Sequence, residues 1–244
     1  MKQGFFEITE NVPLTENVYK MVLRGDVSAI TAPGQFVNIQ LDGLYLRRPI
    51  SVCDVSGDGL TIIYKVVGKG TAKLSQMQRG SLDLLTGLGN GYDLSCAGDR
   101  PVLLGGGVGV PPMYLLAKRL LAEGKQVQVI LGFNTQKEVF YEKEFRELGA
   151  QVTVTTVDGS YGTQGFVTDA LKDMDYTYFY TCGPEPMLKA VYRASQTSGQ
   201  MSFEKRMGCG FGACMGCSCK TITGYKRICK EGPVMWKEEI LWES

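Results

Sequence analysis

Between residues 98 and 101 the texture of the chain changes, and that change decides which folds are open to it. Before it, "GFFEITENVPL", "VYKMVLRG", "GQFVNIQL", "RRPISVCDV" and "GLTIIYKVV" are short runs rich in Val, Ile, Phe and Tyr, parted by Gly, Asp and Pro. Runs of that length and spacing predict antiparallel strands forming a small barrel or sandwich. "TAKLSQMQ" reads as one helix with Thr71 as its N-cap. From Pro101, apolar runs ("PVLLGGG", "QVQVILGF", "QVTVTTVDG", "YTYFYTCG") alternate with amphipathic ones ("PPMYLLAKRLLAEG", "VFYEKEFRELG", "FVTDALKDM", "PEPMLKAVYRASQTSG"). Continuous apolar strands separated by helices predict an α/β doubly wound parallel sheet. A third texture, rich in Cys and Gly, fills 201–244 and is too short to own an ordinary core. The expected organisation is therefore multi-domain: an antiparallel β-barrel over 1–98, the parallel-sheet domain over 99–200, and a small module over 201–244. A bound metal centre is expected to stabilise that module.

Composition narrows the function. Lysines and arginines number 26 against 25 acidic residues, so there is no basic excess of the kind a nucleic-acid binder presents. No run reaches the roughly 20 apolar residues of a membrane span, and the polar start "MKQGFFEITENVPL" is no secretory signal. A cytoplasmic setting follows as the expectation, and there thiols stay reduced. Eight cysteines under those conditions point to metal or redox chemistry rather than to bridges. Histidine is absent altogether, which removes Rieske and Cys/His zinc ligation and the usual general base. No catalytic acid or base is assigned.

Four of the cysteines fall within "KRMGCGFGACMGCSCK". Cys209, Cys214 and Cys217 stand as C-x4-C-x2-C, and Cys229 follows after eleven intervening residues. This is the plant-type spacing for a [2Fe–2S] cluster. Two irons with four thiolates carry net negative charge, which backbone N–H groups offset. Gly208, Gly210, Gly212 and Gly216 let the backbone curl close enough to supply them. Cys219 competes for the fourth position, with Cys229 ranked ahead. Tetrahedral zinc is the alternative, but structural zinc sites favour two C-x2-C pairs, and only one stands here.

Two junctions suit a nucleotide. "PVLLGGGVGVPPMYLL" is strand, glycine loop and helix, with Gly105, Gly106, Gly107 and Gly109 in the loop and Pro111 and Pro112 in the first helical turn. Such a loop offers free amides to a pyrophosphate. It departs from G-x-G-x-x-G at Val110, and no acidic residue follows at about 20 positions to hold a ribose hydroxyl. A plain tight turn is the alternative reading. The second junction ends in Cys182, Gly183 and Pro184, and ligands of doubly wound sheets bind where strands end. A lone Cys182 would otherwise be a core thiol. In the barrel, "LYLRRPISV" offers an arginine fork for a pyrophosphate, with Ser51 beside it. "VVGKGTAKL" is a further loop running into a helix.

In order along the chain, "PGQF", "RRPIS", "GKGT", "GGGVGVPP" and "CGPEPM" resemble the ferredoxin-reductase family over the whole length. The resemblance implies a flavin barrel followed by a nicotinamide domain. It implies that Arg48, Pro49, Ile50 and Ser51 cradle FAD, with Ile63, Tyr64 and Lys65 along its ring and ribityl chain. Gly70 and Thr71 would take its pyrophosphate, and Gly105, Gly106, Gly107, Gly109, Cys182, Gly183 and Pro184 would take NAD. Many members carry Tyr in R-x-Y-S, where this chain has Ile50. The segments "MGCGFGACMGCSCKT" and "YKRICKEGPV" are similar to the electron-transfer subunits of type B dihydroorotate dehydrogenases. That likeness implies Cys209, Cys214, Cys217 and Cys229 as cluster ligands and an FMN-containing catalytic subunit as partner, in a heterotetramer serving pyrimidine biosynthesis. Two other readings stay open: a flavin/iron–sulfur subunit of an NAD(P)H–ferredoxin reductase or sulfhydrogenase, and a zinc- or cluster-stabilised redox-sensing module.

Overall fold

The structure is a computed structural model, and it describes residues 1–242; the last two residues of the C-terminal module lie outside it. Six strands build the first unit: β1 (Lys2–Pro13), β2 (Val18–Arg24), β3 (Phe36–Ile39), β4 (Arg48–Ser56), β5 (Gly59–Lys65) and β6 (Ser81–Leu88). They close into an antiparallel barrel in the order β1-β2-β5-β4-β3-β6. Met21, Leu23, Leu60, Ile62 and Leu84 fill its interior with essentially no exposure, each side chain contributing about 1.5–3 kcal/mol by burial. β6 was not among the strands expected from sequence, although Leu82, Leu84, Thr86 and Leu88 alternate inward along it.

A short helix, α1 (Lys69–Ser75), plugs one end of the barrel through Leu74. Its end is held by Asn11, whose Nδ2 donates to the carbonyls of Leu74 and Met77, each at 2.9 Å. Thr71 is not its N-cap. Gly68 takes that position, extended, and Thr71 sits one turn inside. There its hydroxyl accepts from the N–H groups of Val67 and Gly68 at 2.9 and 3.3 Å. The glycine frees the N-cap of any side chain, so the polar residue caps from within.

The second unit runs β7 (Pro101–Gly106), α2 (Val110–Ala122), β8 (Gln128–Phe133), α3 (Glu142–Glu147), β9 (Gln151–Thr156), β10 (Thr163–Gln164), α4 (Val167–Leu171), β11 (Tyr178–Cys182), α5 (Glu185–Ala194) and β12 (Gly199–Ser202). Its sheet order is β10-β9-β8-β7-β11-β12, all parallel. The winding reverses between β7 and β11, the crevice where such sheets bind ligands. α2 ties the two units together: Leu115 enters the barrel core, Lys118 Nζ meets Asp54 at 2.8 Å, and Arg119 donates to the Thr31 carbonyl at 2.6 Å.

The cysteine-rich segment forms a hairpin, β13 (Ser218–Thr221) with β14 (Gly224–Arg227), and then β15 (Val234–Trp236). β15 pairs antiparallel with β12 as a seventh strand of the sheet. Cys217, Ile228 and Cys229 share an apolar cluster with Phe36 and Leu88 of the barrel and Leu188 and Met201 of the sheet unit. The segment thus shares a core with both neighbours, a source of stability beside the metal centre expected from sequence. Trp242 packs between Tyr192 and Phe203 on the sheet side. Among the described residues, no helix is long and apolar enough to cross a membrane.

Candidate functional site

Residues Arg48, Pro49, Ile50 and Ser51 open β4 as four half-buried positions in a row, against the tight packing of the strand's middle. The "RRPIS" and "GKGT" motifs meet at Arg48: a Cβ placed on Gly70 would stand 2.2 Å from Arg48 Nε. A side chain at position 70 would displace the guanidinium that lies on the helix start. A cationic fork over backbone amides fits a flavin's pyrophosphate. Arg47 takes no part in that fork. Standing just before β4, Arg47 instead grips Asp83 at both carboxylate oxygens, 3.1 and 3.0 Å, and the Asn38 carbonyl at 3.2 Å.

The side chains of Ile63 and Tyr64 are both buried. Tyr64 lies in the barrel core, donating its hydroxyl to Asn11 Oδ1 at 3.0 Å, and Ile63 packs toward the second unit. Only the backbone of these two residues is left to face a flavin, whereas Lys65 is half-buried. Ile50 packs against the barrel core.

At the switch point the two predicted junctions touch. A Cβ on Gly109 would lie 2.2 Å from the Cys182 carbonyl oxygen, and Cβ atoms on Gly106 and Gly183 would lie 2.3 and 2.7 Å from Met187 Sδ. A 3-10 turn over Gly107–Gly109 leads into α2, and Gly107 adopts φ +52° with open space around it. The Cys182 thiol is pushed up to about 12 by burial, a rise that a hydrogen bond with Ser202 offsets in part; it stays a neutral wall of the crevice. A groove beside it is lined by Asn17, Lys65, Gly107, Val108, Phe133 and Glu138. Glu138 is a residue that sequence spacing missed. It sits in a 3-10 turn beyond β8, and its Oε2 accepts from Asn134 N and Nδ2 at 3.1 and 2.8 Å. A braced carboxylate at that strand end is the group that reads a ribose hydroxyl in doubly wound sheets. Its signal was an acidic residue near the end of β8, displaced from the usual interval.

Four cysteines of the C-terminal segment meet two by two. The Cys229 N–H donates to Cys217 Sγ at 3.4 Å, and the Cys214 thiol stands near enough to Cys209 to favour its ionisation. Among the described residues no three Cys, Asp or Glu side chains close on a single ion-sized point. Four thiolates at the plant-type spacing suit two irons with two thiolates each. Burial opposes ionisation of Cys209, but the N–H groups of Phe211, Cys214 and Ala213 outweigh it and bring the thiol down to about 6; the Ala213 N–H donates to Sγ at 3.2 Å. Burial, reinforced by Cys217, pushes Cys229 up to about 12, so as a metal ligand it would have to lose its proton when metal arrives. Met215, at φ +58°, reverses the loop between Cys214 and Cys217. Cys219 points elsewhere: its Sγ contacts Met235 Sδ at 3.8 Å.

Comparison with known proteins places the chain's segments among characterised families. Residues 204–241 match the iron–sulfur cluster binding domain of dihydroorotate dehydrogenase B, and residues 103–193 match the oxidoreductase NAD-binding domain. The dihydroorotate dehydrogenase B (NAD(+)) electron transfer subunit of Geobacillus sp. (strain WCH70) is 44% identical, with 99% of each chain covered. That of Fusobacterium nucleatum subsp. nucleatum is also 44% identical, over 96% of each. A solved structure of the NADH-dependent reduced ferredoxin–NADP oxidoreductase, described for flavin-based electron bifurcation, superposes with a TM-score of 0.88 at 30% identity. It covers 98% of this chain and 90% of that one. The ferredoxin NADP+ reductase from Neisseria gonorrhoeae shares the fold at 18% identity and a TM-score of 0.69, over 80% of this chain and 90% of its own.

Proposed function

The chain belongs to the family of dihydroorotate dehydrogenase B (NAD(+)) electron transfer subunits, and from that premise we propose that it relays electrons from a separate catalytic subunit to NAD+. The partner is an FMN-containing subunit that oxidises dihydroorotate in pyrimidine biosynthesis. The chain itself is an oxidoreductase subunit working with a [2Fe–2S] cluster, FAD and NAD. Bound flavin supplies the needed conversion, since it exchanges hydride with a nicotinamide and single electrons with a cluster.

In this reading Cys209, Cys214, Cys217 and Cys229 hold the cluster. Arg48, Pro49, Ile50, Ser51, Gly70 and Thr71 hold FAD together with the backbone of residues 63–65. Gly105, Gly106, Gly107, Gly109, Cys182, Gly183 and Pro184 hold the nucleotide. The units are 1–98, 99–200 and 201–244, the last lending β15 to the sheet of the second. The assembly is a cytoplasmic heterotetramer, two copies of each subunit.

One observation carries the reading most. In the barrel β4 lies between β3 and β5. On the β3 side, Asn38 reaches the cysteine loop by a hydrogen bond to the Cys209 carbonyl at 3.2 Å. On the β5 side, Lys65 lines the groove shared with Gly107 of the nucleotide loop. A flavin held on β4 therefore has single-electron and hydride partners on opposite flanks.

The test is anaerobic purification of the complex after co-expression, with absorption spectrum, metal and flavin counts. About two irons per FAD on this chain, with an FMN-bearing partner, is the expected result. A ferredoxin or hydrogenase partner would favour a second reading, an NAD(P)H–ferredoxin reductase subunit, to which the 0.88 superposition gives weight. Colourless, zinc-loaded protein would overturn both.

A further inference from the structure

We propose that Asn38 is a positioning residue for single-electron transfer, the clamp that fixes the cysteine loop against the flavin strand. The inference rests on the assignment of cluster and flavin given above and adds a residue to it. Asn38 stands in the middle of β3, whose four residues are all buried. It pairs across the ladder with Pro49 of "RRPIS", between the pairs Val37–Ile50 and Ile39–Arg48. Its side chain leaves the strand toward the cysteines, and Nδ2 donates to the Cys209 carbonyl at 3.2 Å. The flipped amide would set two oxygens against each other, so the donor end is fixed by its partner.

The cysteine loop is shaped to accept this contact. Gly210, next to Cys209, has φ +78°, and a Cβ there would lie 2.2 Å from Asn38 Nδ2. The asparagine's own cost is visible at its other end. Oδ1 is buried and has no hydrogen-bond partner among the described residues. A buried, unpaired acceptor is unfavourable, and a leucine of similar size would fill the site without it. Core packing thus does not explain the asparagine; the bond it makes to the cluster loop does. Arg47 steadies the same residue from behind, donating to the Asn38 carbonyl at 3.2 Å. One residue thereby couples, through a single side chain and a single strand register, a cluster ligand to the strand that carries the flavin motif.

The experiment uses the holo-complex with Asn38→Leu and Asn38→Asp, both of which remove the donor. NADH is mixed rapidly with oxidised protein while flavin and cluster absorbance are followed separately, and the reduced cluster is examined by electron paramagnetic resonance. Flavin reduction by NADH should keep its wild-type rate. Cluster reduction should become slower than in the wild type, because the transfer of a single electron weakens with every increase in the distance between the two centres. The cluster's spectrum should broaden as its loop samples more positions. Unchanged cluster kinetics and spectrum at wild-type iron and FAD content would overturn the proposal. So would outright loss of iron, which would make Asn38 a retention residue instead. Should the variants lose FAD, Gly210→Ala approaches the same contact from the loop side and must reproduce the slow cluster phase. Wild-type protein lacking iron or flavin would instead overturn the parent assignment, so the two failures are distinct.

Discussion

Replacing Gly109 by Ala isolates one contact, the approach of the two nucleotide junctions. Gly109 has φ −82° and ψ −10°, a backbone any residue adopts, so alanine strains nothing there. Its whole effect comes from space: the new methyl would sit 2.2 Å from the Cys182 carbonyl oxygen and 2.4 Å from its carbon. Both are main-chain atoms that no rotamer change can clear. To restore ordinary contact the junctions must part by about 1 Å, a displacement that costs on the order of 10²-fold where reacting atoms must be aligned. The accompanying destabilisation is about 1–3 kcal/mol, the usual range for overpacking. Gly124→Ala is the matched control. It forces a residue at φ +79° in open space at the end of α2, costing about 1–2 kcal/mol in strain far from the crevice. Stopped-flow bleaching of the flavin by NADH should therefore slow by about two orders of magnitude in Gly109→Ala and stay unchanged in Gly124→Ala, with similar losses in melting temperature. Equal rates in the two variants would refute the idea that junction spacing governs hydride transfer.

Cys229→Ser should lose the cluster's visible absorbance while Cys219→Ser keeps it, since Cys219 faces Met235 rather than the paired thiols; iron analysis giving the reverse pattern would reassign the fourth ligand. Glu138→Gln should improve NADPH relative to NADH by about tenfold, because like charges brought together cost several kcal/mol; an unchanged ratio of kcat/KM values would remove Glu138 from ribose reading. Stripping the iron with a chelator should leave β15 paired with β12 and the molecule folded, with hydrogen-exchange protection lost only over 205–217; cooperative unfolding on chelation would show that the metal, not the borrowed core, holds the C-terminal segment.

Legibility followed the physics of each element. The parallel sheet could be read because strands buried on both faces leave unbroken apolar runs, and β7, β8 and β11 are buried almost throughout. The cysteines could be read because ligand spacing is itself a chemical constraint. β12 could not be: its residues "GQMS" are all buried but half polar. Gln200 exchanges bonds of 2.9 and 2.8 Å with the main chain of Asp93 in a distant loop and donates to the Tyr178 hydroxyl at 3.3 Å. No local pattern announces a partner so far along the chain. The two arginines of "RRPIS" are identical in sequence and opposite in fate, because Asp83, 36 positions past Arg47, captures one of them. Thr71 looked like a cap because hydroxyls favour that position, yet the glycine three residues earlier let it act from inside the helix.

The junction between barrel and sheet bears on how a nucleotide enters. Relay between a hydride donor and a one-electron acceptor depends on fixed separations, and hinge opening would vary them. Here α2 is shared property: it carries the nucleotide loop at its start and puts Leu115 into the barrel core on its flank. Lys118 holds Asp54 of β4, the flavin strand itself, at 2.8 and 3.0 Å. Tyr92, beyond β6, adds a hydroxyl bond to the Thr181 carbonyl of β11 at 3.0 Å in buried surroundings. Hinging the sheet away would expose the Leu115 side chain and strip a buried hydrogen bond, several kcal/mol in all at about 1.5–3 for the leucine and about 1 for the bond. On the proposed reading the nucleotide therefore comes and goes through the groove lined by Lys65, Gly107 and Phe140, while the strands that fix the electron path stay where they are.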